Sequence, residues 1–69
     1  MTFVLKSERI DNRQIEITQE KFEDCYHVIV CEKGEPYWHK ISDRVYPSWR
    51  KACQRFNSIK TKIKKEVCV

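Results

Sequence analysis

Apolar and polar positions divide the chain into strands followed by one helix. Residues 3–10, FVLKSERI, begin apolar and then alternate loosely, the pattern of a first strand with a ragged end. Asp11, Asn12 and Arg13 form a turn signal, because Asp and Asn tolerate the left-handed backbone region and bond their own main chain. In residues 14–20, QIEITQE, Ile15 and Ile17 point one way while Glu16 and Thr18 point the other, as in a half-buried strand. Residues 21–24, KFED, read as a polar connection whose one aromatic, Phe22, covers a core edge. Residues 25–33, CYHVIVCEK, place Tyr26, Val28 and Val30 on one face and Cys25, His27, Ile29 and Cys31 on the other. Apolar atoms on both faces put this strand in the middle of the sheet. KGEP then turns the chain, and residues 37–43, YWHKISD, read as the return strand.

Two registers are open for that hairpin. A two-residue turn at Lys33 and Gly34 pairs Val30 with Tyr37 and Tyr26 with Ile41, but it asks Lys33 for a positive φ. A type I turn followed by Gly34 in the left-handed region pairs Ile29 with Tyr37 and His27 with His39, and the backbone favours it. A one-residue slip exchanges the faces, so the placement of Trp38 and His39 depends on this choice.

The period then changes from two to 3.6. Trp49, Ala52, Cys53, Phe56, Ile59 and Ile63 recur at spacings of three and four and form one helical stripe. Pro47 suits a first helical position, where its missing N–H is not needed. Lys60 falls on the stripe, where its methylenes can lie over the core while its ammonium reaches water. The pattern therefore predicts an α+β fold. A three- to four-stranded antiparallel β-meander (about 3–10, 14–20, 25–33 and 37–43) is packed on one face by a single C-terminal helix (about 47–65). Sixty-nine residues make a single small domain, 1–69, with a thin core and little room for a deep pocket.

Charge changes the picture at the C-terminal third. Residues 1–45 hold seven Lys/Arg against nine Asp/Glu, a net −2; residues 46–69 hold seven Lys/Arg against Glu66 alone, a net +6. Arg50, Lys51, Arg55, Lys62 and Lys65 are the candidate contacts to a polyanion such as DNA or RNA. On the helical wheel the cations encircle most of the exposed surface and do not favour one edge. No zinc finger, helix-turn-helix partner or aromatic RNA-binding signature accompanies them.

The second sheet face has no helix left to cover it. Trp38 and Lys40 share a face in both registers and are the candidate interaction surface, for a protein partner or a second copy of the chain. Cys25, His27 and, in the favoured register, His39 approach one another as a minor metal-site candidate. No close CxxC pair supports it, and alternate strand positions lie about 7 Å apart. No catalytic residues or cofactor are expected, since the only Gly lies in a hairpin turn and no paired carboxylates stand out. The N-terminal sequence reads as neither a signal peptide nor a membrane span, so the four Cys are expected reduced in the cytoplasm. The expectation is a non-enzymatic binding module, for protein first and nucleic acid second.

Overall fold

The alternation around Ile15 and Ile17 and the stripe around Phe56 meet as the two halves of one core. The computed structural model describes residues 2–67. Four antiparallel strands, β1 (Thr2–Ile10), β2 (Arg13–Glu20), β3 (Tyr26–Glu32) and β4 (His39–Tyr46), form one open sheet in the order β1-β2-β3-β4. The single helix, α1 (Trp49–Val67), crosses one face and packs chiefly on the two central strands. The buried core is Ile15 and Ile17 from β2, Val28 and Val30 from β3, and Ala52, Phe56 and Ile63 from α1. Ile10, Tyr26, Tyr46, Cys53 and Ile59 close its margin. Trp49 is only partly covered; it meets the Tyr26 ring edge-on at 5.6 Å and 64°. No helix among the described residues is long and apolar enough to cross a membrane.

Local chemistry sets the ends of these elements. Asp11 takes a φ of 53° in the turn between β1 and β2, as its side chain allows. Pro47 precedes the helix and does not begin it. Ser48 is the N-cap, its Oγ accepting the Lys51 N–H at 3.2 Å and its carbonyl the Ala52 N–H at 3.0 Å.

The hairpin between β3 and β4 takes neither register expected from its sequence. Val30 pairs with Ser42, Cys31 with Lys40, Glu32 with His39 and His27 with Val45, with a bulge at Ile41. The return strand therefore begins at His39, and residues 33–38 are loop. The reason is non-local: the Lys33 N–H donates to the Asn12 carbonyl at 2.7 Å, which ties the loop to the neighbouring turn. Gly34 has no positive φ. It is required by proximity, because a Cβ there would lie 2.1 Å from the His39 ring. Phe22 also departs from expectation. It does not cover the core but stands 93% exposed at a φ of 72°.

Phe56 and Phe22 should respond differently. Phe56→Ala empties the centre of the core and is expected to cost about 3–5 kcal/mol, a large share of the stability of so small a domain. Phe22→Gly removes no buried contact and relieves a left-handed backbone. It should be neutral or raise stability by up to about 1 kcal/mol. Urea unfolding followed by circular dichroism reads both.

Candidate functional site

Strand register assigns the strand side chains to faces, and the face away from α1 mixes mutually bonded polar groups with the apolar Val4, Ile29 and Val45. It carries Ser7 and Arg9 from β1, Gln14, Glu16 and Thr18 from β2, His27, Ile29 and Cys31 from β3, and Lys40, Asp43 and Val45 from β4. Gln14 Nε2 donates to Glu16 Oε1 at 2.7 Å and to Ser7 Oγ at 3.3 Å. Lys40 Nζ lies 3.3 Å from Asp43 Oδ2. The Arg9 guanidinium lies over the Trp38 ring at 4.8 Å, which brings Trp38 to this face. Trp38 and Lys40 thus share the uncovered face as expected, but each is engaged by a charged neighbour.

His27 is the hub of the face. Its Nε2 is 3.1 Å from Glu23 Oε2 and its Nδ1 is 3.4 Å from Asp43 Oδ1. The bond to Glu23 raises the His27 pKa; partial desolvation opposes that and Asp43 adds to it. Glu23 is lowered by the bonds from His27 and Cys25. The Cys25 thiol is pushed up, first by desolvation and then by Glu23. Cys31 is likewise pushed up by burial and by Glu16. The expected trio of Cys25, His27 and His39 does not form, because His39 pairs with Glu32 at the far end of β3. Glu23 takes its place. The sequence signal that could have found it is the alternation of Glu23, Cys25 and His27 at positions i, i+2 and i+4.

The helix side of the sheet has two unlike flanks. Toward β1 the cations are occupied: Lys60 Nζ bonds Glu8 Oε2 at 2.8 Å, and Lys6 Nζ sits 4.7 Å from the Phe56 ring centre. Toward β4, Arg55 and Lys62 border a cleft with Ile41, Ser42 and Ile59. Lys51, Arg55, Lys62 and Lys65 fall on one arc of about 80° at 100° per residue, with Arg50 standing apart. Arg44 adds a further cation on the helix side of β4, opposite Val28. Among the described residues, none of these six forms an ion pair; Arg13 bonds Glu66 at 2.8 Å beside the cleft. The cations therefore do not wrap the helix evenly in effect, because one flank is neutralised and the other is not.

Strand β1 is the third surface. It is an edge strand, and Phe3, Val4 and Leu5 are 44%, 57% and 43% exposed around a bulge between Val4 and Lys6. No family model matches the chain, and no curated protein or solved structure is significantly similar to it.

The neutralised flank can be tested by titration. The bond from Lys60 lowers the Glu8 pKa below its ordinary value near 4.5. The pair's contribution is present above that ordinary value and is lost as pH falls through the lowered one. Carboxyl NMR should place the Glu8 midpoint below 4.5, and Lys60→Met should return it toward 4.5.

Proposed function

We propose that the protein is a small non-enzymatic binding module of the cytoplasm that engages a protein partner by strand addition at β1. The observation that carries this reading is the exposed Phe3-Val4-Leu5 stretch on an edge strand. Unpaired backbone groups on such an edge accept another strand, and alternate apolar side chains add contact on both sides. The hydrogen-bonded state of the uncovered face argues for the edge over the face.

The partner to try first is a second copy. A two-fold axis through Val4 lays Phe3 of each chain against Leu5 of the other, so the apolar triplet complements itself. The bulge at Leu5 limits the pairing to a short stretch. That suits weak, concentration-dependent association over an obligate dimer. Sedimentation equilibrium should show a dimer growing with concentration. Val4→Lys should return it to monomer by setting like charges opposite each other, while Val45→Lys on the far edge should leave it intact. A monomer at millimolar concentration contradicts the self-pairing.

A second reading, nucleic-acid binding, is favoured by the uncompensated row of Lys51, Arg55 and Lys62 with Arg44. Lys65 extends the row, and Arg50 contributes only from beside it. Phosphate contacts there would release counterions on binding, so affinity should fall steeply with salt. Anisotropy titrations with a generic duplex and a single strand at low salt test it. The Arg55→Ala, Lys62→Ala double variant should reduce the salt slope by about 2. Absence of binding at low salt removes this reading.

A further inference from the structure

The turn between β2 and β3 gathers three different donor atoms at one point. Cys25 immediately precedes β3 and His27 is its second residue, on the uncovered sheet face. Their backbone spacing alone holds them about 7 Å apart. The preceding turn closes the gap. Phe22 at a φ of 72° and the bond from the Glu23 N–H to the Glu20 carbonyl, 3.1 Å, curl the chain so that the Glu23 carboxylate returns over β3. Glu23 Oε2 then lies 3.1 Å from His27 Nε2 and 3.4 Å from Cys25 Sγ, and all three donor atoms fall within 4.8 Å of one another.

These separations are close to those of a metal centre. A tetrahedral ion with bonds of about 2.0–2.3 Å holds its donors about 3.3–3.8 Å apart. Both contacts to Glu23 are already near that spacing, and rotation of the half-exposed Cys25 and His27 side chains closes the third. A second observation separates this cluster from an ordinary polar patch. Asp43 Oδ1 stands 3.4 Å behind His27, at Nδ1, on a different strand. A carboxylate there holds the Nδ1 proton when an ion displaces the proton that Nε2 shares with Glu23, and the freed Nε2 lone pair then faces the ion. Metal-bound histidines are commonly oriented in this way.

We propose that Glu23, Cys25 and His27 form a binding site for a zinc-class divalent ion, with Asp43 as the positioning residue behind His27. Thiolate, imidazole and carboxylate together match the borderline-soft character of Zn²⁺. Two anionic ligands balance its charge. Three protein donors leave a fourth position open to water or to a donor from a partner. His39 takes no part, and neither do Cys31 or Cys53. The site stands on the β2–β3 turn and does not depend on the reading of the β1 edge.

Cobalt titration of the whole protein under reducing conditions at neutral pH provides the test, with Co²⁺ as the spectroscopic stand-in for Zn²⁺. One equivalent should produce a sulfur-to-cobalt charge-transfer band and d–d bands of tetrahedral intensity, and Zn²⁺ should displace both. Cys25→Ser should abolish the charge-transfer band, and Cys31→Ser, Cys53→Ser and Cys68→Ser should each keep it. Asp43→Asn should keep the band but weaken affinity by about 10–100-fold. Zinc addition to the unaltered protein, followed by NMR, should shift residues 22–28 and 43 and return the His27 ring in its Nδ1–H tautomer. This measurement needs no variant to fold. The proposal is overturned by absence of the band with cobalt in excess, by a band that survives Cys25→Ser, or by zinc shifts centred on His39 or Cys68.

Discussion

The packing of Phe56 against Ile15, Ile17, Val28 and Val30 is the constraint on which the rest of the molecule depends. An α-helix is about 10–12 Å across with its side chains, whereas four strands about 4.8 Å apart span roughly 14 Å between the outer two. One helix therefore covers β2 and β3 and leaves the edges thinly covered. Beyond the marginal Ile10, Tyr26, Tyr46, Cys53 and Ile59, long charged side chains extend the cover. On the β1 side Lys6 lies on the Phe56 ring and Lys60 reaches Glu8. On the β4 side the gap remains a cleft bordered by Arg55 and Lys62.

The same shortage of covering elements explains the other face. With no second layer available, its side chains satisfy one another. Gln14 links Glu16 and Ser7, His27 stands between Glu23 and Asp43, and Arg9 lies over Trp38. Exposed apolar side chains lie in the turns at Phe22 and Tyr37 and on both edge strands, at Ile41 and Val45 of β4 and in the consecutive run Phe3, Val4 and Leu5 of β1. A thin fold thus divides its surface into an apolar edge, a basic flank and a cluster of Glu23, Cys25 and His27.

What was legible in the sequence followed from local periodicity. The alternation of Ile15 with Glu16 and the three-and-four spacing from Ala52 to Ile63 carry enough information to place both halves of the core. The β3–β4 register was not legible, because the bond from Lys33 to Asn12 comes from a different hairpin. No turn rule applied to residues 33–36 contains it. The two flanks of α1 were hidden for a similar reason. A helical wheel shows where Lys51, Arg55 and Lys60 point, but not that Glu8 of β1 waits on one side only. The alternation of Glu23, Cys25 and His27 hints at the cluster, but Glu23 and Cys25 lie before β3 and the chain bends there through the positive φ of Phe22, which a bulky side chain seldom adopts. The helix starts at Trp49 and not at Pro47 because Ser48 can cap an orphan N–H, whereas a start at Pro47 would leave Tyr46 in the cap position.

The central claim is that the exposed edge at β1 is the docking surface. Amide hydrogen exchange at low and high protein concentration measures this residue by residue. The account predicts that outward-facing amides of β1 between Thr2 and Lys6 gain protection as concentration rises, while β4 amides exchange at an unchanged rate. Equal exchange of β1 at both concentrations, or protection appearing first at β4 or along α1, would contradict it.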